Sequence, residues 1–163
     1  MIAKALLAEI GHEYANTRKI LQKIPFDKFD WKPHDKSMSL GELSTHLAAL
    51  PQFITSTLTT DELDLSKPAY PHEDFDTVGQ LLVSFDGHVA GAKEVLANAG
   101  DDEFNKMYVV RKGGQVYFNL PKMVVIRSFA ISHAIHHRAQ LQVYLRMLGI
   151  PVPGFYGPSA DEI

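Results

Sequence analysis

The sequence predicts an all-α fold, a four-helix bundle with a short hairpin or extended excursion before its last helix. Apolar residues recur at helical spacing in four long segments, which indicates amphipathic helices. One or two long connections between such helices are typical of helix bundles. A length of 163 residues favours one domain, residues 1–163, with a core of ordinary size.

The first two predicted helices occupy the N-terminal third of the chain. Helix one covers residues 3–22 and ends before Pro25. Helix two begins at Ser39, because Ser39 and Glu42 have the spacing of a capping box. It continues to about residue 59 with a kink at Pro51, which has no N–H to donate. The apolar stripe of helix one comprises Leu6, Leu7, Ile10, Tyr14, Thr17 and Leu21.

The middle of the chain combines a long polar loop with the third predicted helix. Residues 61–76 contain two prolines and are expected to form a loop that acts as a lid or crosses the surface. Helix three is predicted to begin at Asp76 or Thr77, with Gln80 in capping-box position. Gly100 is expected to close it.

The last third of the chain predicts a hairpin followed by the fourth helix. Two β-like stretches flank a Gly113-Gly114 turn, which suggests the short hairpin. The last helix is predicted to cover residues 122–148. Pro121 suits its first turn, and Gly149 is expected to cap its C-terminus.

Composition argues against several classes of protein. The formal net charge is −3, with no block of like charge, which argues against a nucleic-acid-binding surface. The absence of cysteine excludes disulfides, thiolate metal sites and a cysteine nucleophile. No apolar run is long enough to cross a membrane, and the N-terminus lacks a signal-peptide core. We therefore expect a cytoplasmic protein without a membrane or nucleic-acid partner.

Three histidines lie on predicted apolar faces. His133 and His137 are four residues apart, so they share one face of the last helix. His46 lies on the apolar face of helix two. Three histidine ligands would leave a divalent metal ion with open positions, which is the catalytic arrangement. From spacing alone, hydrogen-bonded core histidines are an equally good interpretation.

The positions of the other histidines in the sequence predict different roles for them. His34 and His72 lie in polar loops and His12 lies at the edge of helix one, so all three are expected to be exposed. His88 is expected to be partly buried and hydrogen-bonded, with contact to the site as the alternative. His136 is turned about 100° from its neighbour and is expected to meet solvent or a partner.

Four segments together resemble the DinB/YfiT-like superfamily, and they cover nearly the whole chain. They are Phe29-Asp30-Trp31-Lys32-Pro33, residues 36–43 leading to His46-Leu47, residues 133–140, and Tyr156-Gly157-Pro158-Ser159. The HxxxHR-small-Gln pattern of residues 133–140 is the most specific part. Superfamily members are four-helix bundles with a three-histidine metal site, and many are dimers. The resemblance implies that His46, His133 and His137 bind zinc, nickel or another divalent ion in a homodimer.

The resemblance implies a site more directly than a reaction. Some similar proteins are transferases or isomerases that use bacillithiol, mycothiol or a related low-molecular-weight thiol, whereas others have no demonstrated activity. We expect a metal-dependent transferase or hydrolase for a small-molecule substrate, and any thiol must come from outside a chain without cysteine. The alternative is a non-catalytic bundle that binds a metal ion or a small molecule.

Expectations for the surroundings of the site are broader. The 61–76 loop, the hairpin and the C-terminal tail are expected to roof its open side. Tyr108 and Tyr156 could line it, although ordinary aromatic packing is the better interpretation. Arg138 and Gln140 could orient the last helix or contact the loops.

Overall fold

The computed structural model describes residues 1–67 and 73–163. Its helices are α1 (Ile2–Leu21), α2 (Leu40–Ala49), α3 (Pro51–Thr59), α4 (Val78–Asn98), α5 (Lys122–Val125) and α6 (His133–Met147). Its strands are β1 (Glu62–Asp64), β2 (Met107–Lys112) and β3 (Gln115–Pro121), and short 3₁₀ turns cover Phe26–Lys28 and Asp101–Asn105. The fold is therefore mostly helical with a small sheet. The predicted hairpin is present, but the all-α class was too narrow because the hairpin is part of a three-stranded sheet. The expectations for Pro68, Pro71 and His72 lie outside the described residues.

The main core lies between the longer helices. α1 packs against α4 and α6, and α2 packs against the same two helices. Most of the predicted stripe of α1 is buried, including Leu6, Ile10 and Leu21, while Leu7 is only partly buried. Each fully buried Leu or Ile side chain contributes roughly 1.5–3 kcal/mol. These contacts fix the relative positions of the helices that carry the histidines.

Local sequence signals determine where α2 and α3 begin and end. The predicted capping box is present: the Glu42 N–H donates to Ser39 Oγ at 3.0 Å, and the Ser39 N–H donates to Glu42 Oε2 at 2.6 Å. Pro51 begins α3, and Leu50 between the two helices keeps helical dihedral angles. α2 and α3 are therefore two helices that meet at Pro51, where the sequence predicted a kink in one helix.

A glycine brings the connector before α2 close to that helix. The ring of Phe29 lies against Gly41, where an added Cβ atom would be 2.5 Å from Phe29 Cδ1. No other residue fits this approach without movement of the ring. Phe29 is therefore held at the N-terminal end of α2, one side of the region that contains His46.

The sheet contains one strand that the sequence did not predict. β1 lies inside the expected 61–76 loop and pairs in parallel with β2, with Leu63 opposite Val110. β2 and β3 form the predicted antiparallel hairpin. Gly113 has a φ of 57°, which a turn between these strands can use because glycine has no Cβ atom.

The predictions for the ends of α4 and α6 had different outcomes. At the start of α4, Thr77 Oγ1 accepts from the Gln80 N–H at 3.2 Å, as predicted. Gly100 does not close that helix: α4 ends at Asn98, and Gly100 has a φ of −72° at the start of a 3₁₀ turn. Gly149 does follow α6 with a φ of 72°. The Ile150 N–H donates to the Leu145 carbonyl at 3.0 Å, which is the Schellman arrangement.

The last predicted helix is present but is not uniformly α-helical. Residues Ile126–Ser132 between α5 and α6 form a π-helix. Such wider turns are frequent at functional sites. None of the helices in residues 1–67 and 73–163 combines the length and the apolar character needed to span a membrane.

Candidate metal centre

Two helices bring the three predicted histidines together. His46 comes from α2, and His133 and His137 come from α6. Nε2 of His46 lies 3.4 Å from Nε2 of His133, and Nε2 of His133 lies 2.7 Å from Nε2 of His137. Within the described parts of the chain, this trio is the group of His, Asp or Glu residues whose geometry could hold a metal ion.

Burial favours the neutral form of all three imidazoles. It is the largest cause that lowers the pKa of His46 to about 4, followed by the charges of His137 and His133. Burial also lowers the pKa of His133 and of His137, and in each case outweighs a hydrogen bond that acts in the opposite direction. Near pH 7 each ring therefore has a nitrogen lone pair that can be given to a cation.

The donor atoms suit a small divalent ion. Two nitrogen ligands at roughly 2.0–2.1 Å from one tetrahedral ion lie about 3.4 Å apart. The His46–His133 separation of 3.4 Å has this value. The His133–His137 pair, at 2.7 Å, would have to open by roughly 0.7 Å for such an ion. Imidazole nitrogen is a ligand for zinc, nickel, copper and iron alike, so the residues present fit this class of metals.

Two further groups bind the outer sides of the α6 histidines. His137 Nδ1 lies 2.7 Å from Oε1 of Gln140. The ring of His133 is hydrogen-bonded to the backbone carbonyl of Phe129, which lies in the π-helical segment. From the sequence, Gln140 was expected to orient the last helix or to contact the loops. Its i,i+3 spacing from His137 was the available signal for this contact.

A cleft of about 480 Å³ opens beside His46. Its walls include the rings of Phe29 and Phe75 and the carboxylates of Glu42 and Glu73. Both carboxylates also hold the local structure: Glu42 caps α2, and Glu73 accepts from the Ser84 hydroxyl at 2.7 Å. Part of the predicted 61–76 roof therefore does lie beside one of the three histidines.

The hairpin contacts the helical segment just before His133. Phe129, one turn before His133, stacks on Phe118 of β3 with ring centroids 4.5 Å apart. The ring of Phe53 is also stacked with that of Phe129, with centroids 6.3 Å apart. All three rings are half-buried. They form an apolar border between the sheet and the histidine-bearing helices.

The C-terminal tail is held by a buried ion pair. Arg138 is 1% exposed and donates to Oε2 of Glu13 at 2.6 Å and to the hydroxyl of Tyr156 at 2.6 Å. The Tyr156 hydroxyl donates to the same carboxylate oxygen at 2.9 Å. The guanidinium also lies 4.7 Å from the centroid of the Phe155 ring. Arg138 thus connects α6 with α1 and the tail, and the hydrogen bonds of the Tyr156 hydroxyl are with Arg138 and Glu13.

Tyr108 also has a structural role. Its side chain is fully buried, and its hydroxyl lies 3.2 Å from Ser56 Oγ and 3.3 Å from Thr60 Oγ1. These contacts join β2 to α3. Packing, the interpretation preferred from the sequence, therefore accounts for this residue.

The remaining described histidines lie outside the group of three. His34 and His136 are exposed, as predicted. His12 is exposed, as predicted, and its ring lies 3.2 Å from the Asn16 amide. His88 is partly buried and hydrogen-bonded, as predicted, with Nδ1 3.1 Å from the carbonyl of Ala48.

Comparison with models of known protein families identifies one family. The model described as "DinB family" matches residues 1–163. A curated relative, "Uncharacterized protein YrdA" from Bacillus subtilis (strain 168), is 25% identical over 146 residues, covering 90% of this chain and 83% of the relative.

Two crystal structures of DinB-like proteins are similar in fold. One, from Bacillus cereus ATCC 10987, has a TM-score of 0.72 at 20% identity and covers 94% of this chain and 97% of that protein. The other, YjoA from Bacillus subtilis, has a TM-score of 0.71 at 19% identity and covers 93% and 96%. At these identities the similarity concerns the fold alone.

Proposed function

The chain belongs to the DinB family, and we propose that it is a metal-dependent enzyme in which His46, His133 and His137 hold one divalent ion. The observation that carries this proposal is the convergence of the three Nε2 atoms, with separations of 3.4 Å and 2.7 Å. Neutral imidazoles that face one another at this distance cannot all satisfy their lone pairs with protons. A shared cation would satisfy all three.

The proposed reaction is transfer or hydrolysis on a small-molecule substrate. When bound, such an ion supplies a Lewis acid that lowers the pKa of a coordinated thiol or water. The protein would hold the ion with three side chains, which leaves positions for a ligand from solution. The half-buried Phe53, Phe118 and Phe129 would limit access of water from one end, and the cleft beside His46 would admit the substrate from the other.

A low-molecular-weight thiol is the proposed second component. The chain contains no cysteine, so a sulfur nucleophile has to arrive with the substrate or as a cofactor. Zinc or nickel is the proposed metal, because both accept imidazole ligands readily. We also propose that the protein is a cytoplasmic homodimer. Residues 1–163 would form its single domain, a four-helix bundle. Pairwise packing of α1 and α2 against α4 and α6 supports the bundle.

Metal content tests the proposal directly. Protein purified without a polyhistidine tag or added metal is analysed for metals, beside the His46→Ala and His133→Ala variants. We expect about one equivalent of a divalent metal in the wild type and loss of it in both variants. The exposed His136→Ala variant is the matched control and should keep its metal. Metal-free wild type that stays metal-free after addition of zinc or nickel would contradict the proposal.

An activity assay then distinguishes the proposed enzyme from the non-catalytic alternative. The metal-loaded protein is screened with low-molecular-weight thiols and electrophilic acceptors, and thiol consumption is measured. Turnover that His133→Ala abolishes would support the enzyme. Stoichiometric metal without turnover, combined with unfolding on chelation, would favour an ion that only joins α2 to α6.

A further inference from the structure

The contact between His137 and Gln140 restricts where the imidazole proton can be. Oε1 of Gln140 is 2.7 Å from Nδ1 of His137. An amide oxygen can only accept a hydrogen bond, so Nδ1 has to be the donor. A neutral imidazole has a single ring proton. Its placement on Nδ1 leaves Nε2 with a free lone pair, and Nε2 is the atom that faces His133.

We propose that Gln140 is a positioning residue that holds His137 in the Nδ1–H tautomer and thereby keeps its Nε2 lone pair available to the metal. The inference rests on the proposed function, since it assigns a purpose to one residue beside that site. Partners of this kind set the tautomer and ring orientation of metal-binding histidines in general.

The position of His133 explains why such a residue is needed. With Nε2 atoms 2.7 Å apart, His133 and His137 could instead share a proton in an Nε2–H···Nε2 hydrogen bond. That bond would occupy two of the three nitrogens that the metal requires. Gln140 opposes donation by His137 because its oxygen holds the proton on the far side of the ring. The Phe129 carbonyl acts on His133 in the same sense.

Packing does not account for Gln140. Its side chain is exposed on α6, so it contributes little buried area. A leucine at this position should keep the helix, because leucine is a strong helix former. Gln142, two residues further along α6, is partly buried and offers a matched control with the same side chain.

The first test uses the metal-free protein. Long-range ¹⁵N–¹H NMR spectra report which ring nitrogen of His137 carries the proton in the wild type, Gln140→Leu, Gln140→Glu and Gln142→Leu. We expect the Nδ1–H tautomer in the wild type, in Gln140→Glu, which keeps an acceptor oxygen, and in Gln142→Leu. We expect Gln140→Leu to shift His137 towards the Nε2–H form.

The second test measures zinc affinity by competition with a chromophoric chelator. Loss of such a partner typically weakens metal binding about 10–100-fold, and this is the effect expected for Gln140→Leu. Gln140→Glu should restore binding, and Gln142→Leu should bind like the wild type. An unchanged tautomer in Gln140→Leu, or unchanged zinc affinity, would overturn the inference while leaving the metal site intact. Wild-type protein that binds no divalent metal would instead refute the proposed function.

Discussion

The three facing histidines make the stability of the metal-free protein depend on pH. The pKa of His46 is lowered from 6.5 to about 4, first by burial and then by His137 and His133. The unfolded chain binds a proton at this residue once the pH falls below about 6.5, whereas the folded protein binds it only near pH 4. Above pH 6.5 His46 is neutral in both the folded and the unfolded state, so it does not make the free energy of unfolding depend on pH. Between these two values the free energy of unfolding decreases as the pH falls.

The structure sets the size of this effect. A shift of 6.5 − 4 = 2.5 units corresponds to at most about 3.4 kcal/mol at roughly 1.36 kcal/mol per unit. The side chain of His46 is only partly buried, so solvent screening reduces this to about half. At pH 5.0, about 1.5 units below the unfolded pKa, the expected loss is about 1 kcal/mol.

Urea unfolding of chelator-treated protein at pH 7.5 and pH 5.0 measures the loss. Carboxylates elsewhere also respond to pH, so the informative quantity is the difference between the wild type and His46→Gln, which retains a polar side chain that does not titrate. The wild type should lose about 1 kcal/mol more than the variant. His34→Gln, at an exposed loop position, should behave like the wild type. Equal losses in the wild type and His46→Gln would refute the reasoning.

Four further substitutions test the packing of the fold. Arg138→Met leaves a buried carboxylate unpaired and should lower the free energy of unfolding by about 3–5 kcal/mol in urea. Tyr156→Phe removes hydrogen bonds to the same pair and should cost about 1.5–3 kcal/mol. Tyr14→Phe should raise stability by about 1 kcal/mol, because its hydroxyl is the buried side-chain atom without a partner in the described residues. Gly41→Ala should cost about 1–3 kcal/mol, since the new Cβ atom meets the Phe29 ring, and thermal unfolding measures it.

Two contradicting results and one control accompany these predictions. An Arg138→Met protein as stable as the wild type would mean that the tail and α1 do not depend on the ion pair. A destabilised Tyr14→Phe protein would mean that the hydroxyl has a partner. Gly79→Ala, at the start of α4, is the control for Gly41→Ala, because its added Cβ atom would approach only Thr77 Oγ1, at 3.6 Å.

Features that depend on neighbouring residues could be predicted from the sequence. The capping box of α2, the Thr77 cap of α4 and the Schellman end of α6 each require residues within one or two turns of each other. The hairpin follows in the same way from two β-like stretches and a Gly-Gly turn. Local hydrogen bonds determine these features, so they depend little on distant parts of the chain.

β1 shows why the sheet was only partly predicted. Its three residues include one apolar side chain, Leu63, which is too little for a strand pattern. Arg111 of β2 holds the strand by ion pairs to Glu62 at 2.7 Å and to Asp64 at 2.8 Å. These pairs join residues that are far apart in sequence, and no local pattern reveals them.

Some features of the candidate site are likewise local in the sequence, whereas others depend on how the helices pack. The spacing of His133 and His137 places them on one helical face, and Gln140 is within one turn of His137, so these relations are contained in the sequence of α6. The distance from His46 to His133, and therefore the lowered pKa values, depend on how α2 packs against α6. Arg138 shows the same dependence: arginine side chains are mostly exposed in folded proteins, whereas pairing with Glu13, 125 positions earlier, allows this one to be buried. A sequence of this kind can therefore suggest ligands, whereas their protonation state has to be derived from the packed structure.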